Sequence, residues 1–101
     1  MMISKDDSIV TLLDQLNIQE RGWTICDHWE ADLCAIGISP QSSPRKLVYV
    51  STFGKSAGKY DYECEKLRLS FDDEIDYDTV SEGCDVTFSE LVDVMQHYFA
   101  G

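Results

Sequence analysis

Basic residues are scarce in this chain, which has 8 lysines and arginines against 19 aspartates and glutamates in 101 residues. The formal net charge of −11 at pH 7 repels nucleic-acid phosphates and anionic membrane surfaces and attracts cationic partners. The composition therefore predicts neither direct binding of DNA or RNA nor binding to a membrane. The alternative use of this charge is simply to keep the protein in solution.

A leader segment and long apolar runs are also missing. The first residues, MMISKDDSIV, lack a basic region followed by an apolar core, and no apolar run approaches the length of a membrane-spanning helix. We therefore expect a cytoplasmic protein with reduced thiols. The spacing of Cys26, Cys34, Cys64 and Cys84 matches no disulfide framework, so each cysteine is expected to be a small buried hydrophobe.

Motifs for metal binding or catalysis fail on their spacing. A calcium loop starting at Asp72 would place Tyr77 where glycine is required and Gly83 where a bidentate glutamate is required. The two histidines, His28 and His97, accompany no recognisable nucleophile motif. We therefore expect no enzyme activity, no cofactor and no specific metal site. A loose contact between the acidic residues and a hard cation is left open.

Amphipathic segments predict a helix near each end of the chain. In the first, apolar residues recur at i, i+3, i+4 and i+7, namely Ile9, Leu12, Leu13 and Leu16. In the second, the apolar residues at helical spacing are Phe88, Leu91, Val92, Met95 and Phe99. Thr87 and Glu90 have the spacing of a capping box, which predicts where the second helix begins.

The chain between these helices has the composition of strands. The segment GWTICDHWEADLCAIGIS is predicted to form a hairpin that turns near residues 27–30, SPQSSP (residues 39–44) a loop, and RKLVYVSTF a central strand. In YDYECEKLRLSF the alternation changes parity before Leu67, which predicts a bulge or bend near Glu65 and Lys66. We expect a single α+β domain over residues 1–101, with an antiparallel sheet of three to four strands and both helices packed on it.

Acidic residues are concentrated in DDEIDYDTVSEGCD, residues 72–85, which holds seven carboxylates among fourteen residues and no base. Clustering seven carboxylates lowers stability through their repulsion, and the same charges spread over the surface would keep the protein soluble. The cluster therefore indicates a function. Tyrosines surrounded by acids are typical of an interface that attracts a basic partner and then buries a few rings. The predicted contact residues are Asp72, Asp73, Glu74, Asp76, Tyr77 and Asp78, with Tyr60, Asp61, Tyr62 and Glu63 from the preceding segment. Alternatively, Ile75 and Tyr77 pin an acidic loop to the sheet.

Three segments, GWTICDHWEADLCAIGIS, KLVYVSTFGK and KYDYECE, resemble small acidic bacterial immunity proteins that accompany polymorphic or contact-dependent toxins. The resemblance covers residues 22–65. It implies an inhibitor that binds a basic toxin domain, often a nuclease, and occludes its active site or substrate groove. Such families share no fixed contact set, so the contact residues given above come from charge alone.

Two other classes of function are left open by the sequence. One is a nucleic-acid mimic that inhibits a DNA-binding protein with a regular row of carboxylates. The other is a homo-oligomeric domain that hides Tyr60, Tyr62 or a sheet edge in its own interface, with the acidic stretch as a solvated loop. The sequence decides neither the partner nor self-association.

Overall fold

An antiparallel sheet with helices on one face forms the framework of the computed structural model, which describes residues 5–26, 32–43, 45–69 and 75–100. The described helices are α1 (Asp7–Leu16), α2 (Ile18–Arg21) and α3 (Phe88–Ala100). The described strands are β1 (Trp23–Ile25), β2 (Ala35–Pro40), β3 (Lys46–Ser51), β4 (Lys59–Leu69) and β5 (Ile75–Thr87). They lie side by side in chain order, and every neighbouring pair is antiparallel.

The α+β class and the antiparallel sheet are confirmed, but the sheet has five strands instead of three to four. The additional strand is β5, because most of the acidic stretch pairs with β4 instead of forming a loop. Acidic residues and glycine are depleted in strands, so their local preference argued against this assignment. Pairing along β4 overrides that preference.

The core lies between the helices and one face of the sheet, which we call the helix face. The predicted helical stripes bury Ile9, Leu12 and Leu16 from α1 and Leu91 and Met95 from α3. They pack with apolar residues of the central strands, Ile36, Ile38, Val48 and Val50. Side chains alternate across a strand, so Tyr60, Tyr62 and Cys64 of β4 join this core while Asp61, Glu63 and Glu65 point to the opposite, outer face.

Two local predictions for the early strands have different outcomes. The predicted hairpin is confirmed by the antiparallel pairing of β1 with β2, although residues 27–31 of its turn lie outside the described part of the chain. The predicted loop at residues 39–44 begins too early. Ser39 and Pro40 belong to β2, where Pro40 pairs with Trp23 at the end of the strand. Proline is tolerated at such strand ends because its missing N–H interrupts no further ladder.

The irregularity predicted within β4 falls on its partner strand. The pairing shifts between Cys64 and Glu65, and because Cys64 pairs with Ser81 while Glu65 pairs with Thr79, the extra residue is in β5. A second shift, between Tyr60 and Tyr62, also adds its residue to β5. The side chains of β4 therefore alternate regularly between the two faces of the sheet. The change of parity in its sequence arises because Leu67 is an apolar residue on the outer face, the face of Asp61, Glu63 and Glu65.

The predicted capping box is present at the start of α3. The Thr87 N–H donates to Glu90 Oε1 at 3.1 Å, and the Glu90 N–H donates to Thr87 Oγ1 at 3.2 Å. These two bonds satisfy backbone donors that a helix N-terminus otherwise leaves unpaired.

We expect Thr87→Ala to lower the free energy of unfolding by about 1 kcal/mol, because the Glu90 N–H loses its acceptor. Urea denaturation followed by circular dichroism measures the change. Thr87→Ser keeps the hydroxyl oxygen and should remain close to the wild type. An equal loss in both variants would contradict the assignment of this hydroxyl as the cap.

None of the helices in the described ranges has the length and apolar character needed to cross a membrane.

A candidate protein-binding face

A row of polar side chains crosses the outer face where β3, β4 and β5 run side by side. Tyr49 pairs with Glu63, and Glu63 pairs with Glu82. Directly opposed residues in an antiparallel pair have Cβ atoms about 4.5–5.5 Å apart, and like charges at that distance destabilise the sheet. The register thus holds two glutamates closer together than solubility would require.

Asp61 lies beside this row and is fixed from two sides. Its Oδ1 accepts hydrogen bonds from Lys55 Nζ at 2.9 Å and from the Asp85 N–H at 2.9 Å. The Lys55 ammonium, and then the Asp85 N–H, lower the pKa of Asp61. Asp61 therefore remains a carboxylate at neutral pH, partly neutralised by Lys55. Asp85 has a left-handed φ of 59° at the bulge opposite Tyr60 and Tyr62, and the bond to Asp61 holds its backbone there.

Tyr49 connects the row to a further acid, Asp32. Burial, acting most strongly, and the carboxylates of Asp32 and Glu63 raise the pKa of the Tyr49 hydroxyl, while its hydrogen bond with Ser51 acts in the opposite direction. Asp32 is exposed, and its Oδ1 accepts a hydrogen bond from the Cys34 N–H at 3.1 Å.

We define the acidic face by five residues: Asp32, Tyr49, Asp61, Glu63 and Glu82. Tyr49, Asp61, Glu63 and Glu82 line a cavity of about 230 Å³. The exposed Cys84 lines the same cavity. Glu63 and Glu82 make no ion pair with any residue in the part of the chain that the structure describes. The face can therefore accept a cation without first giving up an internal partner at these two positions.

Of the predicted contact residues, Asp61 and Glu63 lie on the acidic face. Tyr60 is only 5% exposed and belongs to the core, so it is not available as a surface anchor. Tyr62 is half-buried, packs against the same core and reaches the edge of the cavity. Burial raises the pKa of both hydroxyls.

Two further predicted contacts, Tyr77 and Asp78, lie farther along the β4–β5 hairpin, about 10–13 Å from Glu63 at the rise of a strand. Tyr77 pairs with Leu67 and is half-buried; burial, and then the Cys26 thiol beside it, raise its pKa. Asp78 is exposed and its Oδ1 lies 3.5 Å from Arg68 Nε. Asp72, Asp73, Glu74 and the side chain of Asp76 lie outside the described part of the chain.

Sequence reasoning missed three members of the acidic face. Glu82 lies within the acidic stretch, but its position opposite Glu63 depends on a register that two bulges set. Tyr49 follows from the alternation of β3 only once the face that meets the helices is known. Asp32 precedes β2, and no pattern in the sequence indicates its contact with Tyr49.

Glu65 continues the row of acids along β4 into a buried position. The residue is 9% exposed, and its Oε2 has no hydrogen-bond partner among the described residues. Burial, and then the nearby Glu63, raise the pKa of this carboxyl. A carboxylate without a partner in such a place costs stability.

Three larger cavities carry less net negative charge, among them one of about 380 Å³ whose charged lining residues are Asp14 and Glu20. One of about 690 Å³ is lined in part by Arg21 and Trp23, and the Arg21 guanidinium already stacks 5.4 Å from the centre of the Trp23 ring. Another of about 320 Å³ lies at the start of α1, where Asp6 caps the helix and Lys55 is paired with Asp61. Within residues 5–26, 32–43, 45–69 and 75–100, no group of three His, Cys, Asp or Glu residues is placed to hold a metal ion.

Comparison of the chain with protein-family models, curated proteins and solved structures gives no match.

Proposed function

We propose that this chain is an acidic protein-binding module whose acidic face contacts a basic protein. The observation that carries the proposal is the direct pairing of Glu63 with Glu82. Their repulsion costs stability in the free protein, and a cation placed between them would relieve it. An arginine suits this position because its planar guanidinium has enough donors to bind both carboxylates.

The partner that we propose is a toxin domain, with this chain as its immunity protein. The resemblance of residues 22–65 to immunity proteins supports this choice. A nuclease toxin holds phosphates with lysines and arginines, whose charge complements Asp61, Glu63 and Glu82. Inhibition is then by occlusion, because the carboxylates occupy the cations that would have bound the substrate.

The burial of Glu65 favours a protein-binding module over a nucleic-acid mimic. A mimic needs exposed charges at regular spacing along its surface. On β4 the acids Asp61 and Glu63 are accessible, but the next acid on the same face is nine-tenths buried.

Neutralising the paired glutamates tests the proposal. We expect the double variant Glu63→Gln/Glu82→Gln to bind the partner at least about tenfold more weakly at low salt, mainly through a slower association rate. The wild-type chain is immobilised, and a host lysate is passed over it at low and then moderate salt. The retained basic protein is purified, and surface plasmon resonance gives its association rate with each variant.

A matched variant separates the acidic face from the net charge. Asp14→Asn/Glu20→Gln removes the same charge from exposed positions of α1 and α2, so it should bind as the wild type does. Equal weakening of both double variants would show that only net charge matters. Unchanged binding by both would exclude the acidic face as the contact surface.

A further inference from the structure

Two large apolar side chains next to the acidic face are exposed to solvent. Phe53 directly follows β3 and is 76% exposed, and Leu33 precedes β2 and is 55% exposed. The Thr52 N–H donates to the Cys34 carbonyl at 2.8 Å, which continues the β2–β3 pairing beyond the strand ends. Leu33 and Phe53 are the chain neighbours of these two bonded residues, so they lie at the same end of the β2–β3 pair.

This apolar pair is bordered by members of the acidic face. Leu33 follows Asp32 in the chain, and Asp32 contacts Tyr49. On the other side, Ser51 pairs with Asp61 and accepts a hydrogen bond from the Phe53 N–H at 3.3 Å. Ser51 and Asp61 also line the cavity that Glu63 and Glu82 line, so the apolar pair lies next to the residues at one side of that cavity.

Single exposed apolar residues are common and need no explanation. An exposed aromatic and an exposed leucine at the same end of a strand pair, beside charged residues, match the usual anatomy of a protein interface, which has an apolar anchor and a polar border. The anchor supplies affinity by losing water, and the charges set the partner and its orientation.

We infer that Phe53 and Leu33 form the apolar anchor of a docking surface. Its occupant is a basic protein surface in which lysines or arginines border an apolar recess. This inference rests on the proposed function and adds the contact that supplies affinity. Charge complementarity decides the occupant. Lys5 and Lys55 lie beside Asp32 and Asp61 at the border, so the attraction for a cation comes from the adjacent Glu63 and Glu82, which make no ion pair among the described residues.

A second copy of this chain does not fit the same surface. A two-fold dimer would bring the acidic face against itself, so that Glu63 and Glu82 of one copy would approach the acidic face of the other. Two chains with a net charge of −11 each would also repel one another over a longer range.

Two synthetic peptides separate the anchor from the charge. One alternates lysine and serine, and the other has the same length and charge but carries leucine at its central serine positions. At moderate salt, where screening weakens the charged contacts, we expect the wild type to bind the leucine peptide at least about threefold more tightly. Phe53→Ser should remove this preference and leave the affinity for the serine peptide unchanged. Fluorescence anisotropy measures both affinities.

Val10→Ser is the matched control, because Val10 is an exposed apolar residue of α1 in the helix layer. It should keep the preference for the leucine peptide. Equal binding of the two peptides by the wild type, or an unchanged preference in Phe53→Ser, would overturn the anchor. A dimer in sedimentation that Phe53→Ser abolishes would assign the pair to self-association and overturn the basic occupant.

The same titrations distinguish failure of the anchor from failure of the proposed function. Glu63→Gln/Glu82→Gln should weaken the binding of both peptides by the same factor. If the double glutamate variant changes neither affinity while Phe53→Ser removes the preference for leucine, the acidic face is not a contact surface and the apolar anchor is supported. If neither peptide binds at low salt, both are overturned.

Discussion

Replacing Glu65 with glutamine is expected to stabilise the protein by about 1–3 kcal/mol at pH 8, because a buried group without a partner costs more when it is charged than when it is neutral. The Glu65 carboxyl is nine-tenths buried, and its Oε2 accepts no hydrogen bond from any described residue. Glutamine has the same shape and no charge, so it keeps the packing and removes the electrostatic part of the cost. Glu65→Met should also stabilise the protein, because it removes both the charge and the polar atoms that glutamine would leave buried.

The gain should depend on pH, because burial and Glu63 raise the pKa of Glu65 in the folded protein. The pKa in the unfolded chain is about 4.3. Below that value both states hold the proton, and the wild type carries no penalty. As the pH rises through the folded-state pKa, the folded protein must ionise a buried group, so the wild type loses stability relative to Glu65→Gln.

Other groups near Glu65 do not reverse this direction. Tyr77 and Tyr98 stand beside it from β5 and α3, and burial raises the pKa of both hydroxyls, so they stay neutral over this range. Glu63 lies on the same strand, and its negative charge adds to the penalty.

Urea denaturation of the wild type, Glu65→Gln and the exposed control Glu20→Gln at intervals from pH 4 to pH 8 measures the effect. The difference between Glu65→Gln and the wild type should grow with pH and then level off. The control should follow the wild type. A difference that is constant, or that shrinks as pH rises, would contradict the assignment of Glu65 as a buried unpaired acid.

Gly83→Ala is expected to lower the free energy of unfolding by about 1–3 kcal/mol, the range found for overpacked positions. Gly83 pairs directly with Tyr62, and the tyrosine ring covers the space above it. A Cβ on Gly83 would lie 2.7 Å from Tyr62 Cζ and 2.8 Å from its hydroxyl oxygen. The ring would have to leave a position in which it packs against the core.

A double-mutant cycle identifies the cause. In a Tyr62→Leu background the atoms that meet the new Cβ are gone, so Gly83→Ala should be close to neutral there. It could even stabilise slightly, since alanine restricts the unfolded chain more than glycine does. The same loss in both backgrounds would mean that the glycine is required for some other reason. Thermal and urea denaturation of the four proteins give the coupling energy.

This contact also links the fold to the acidic face. Gly83 adjoins Glu82, and the packing of Tyr62 over Gly83 helps hold the register in which Glu82 stands opposite Glu63. Gly83→Ala should therefore also weaken the binding of a basic partner, even though it removes no charge.

Much of the helical part of the protein could be predicted from local sequence. The stripe that includes Leu12 and Leu16 buries as its spacing indicates, and Thr87 with Glu90 marks the start of α3 to the residue. These features depend on contacts within a few positions in the chain, so a single sequence contains the information. The prediction of β3 as a strand depended in the same way on local sequence, namely its run of β-branched and aromatic residues.

The candidate site was predicted only in part, because the sequence shows which residues are charged but not which residues are neighbours across two strands. The sequence by itself determined that the protein is strongly acidic and that Asp61 and Glu63 alternate with apolar residues on a strand. Only the tertiary structure decided that residues 75–85 of the acidic stretch form a strand, that Tyr60 belongs to the core, and that Glu63 faces Glu82. The physical reason is that cross-strand neighbours are set by register, and two bulges in β5 shift that register by one residue each.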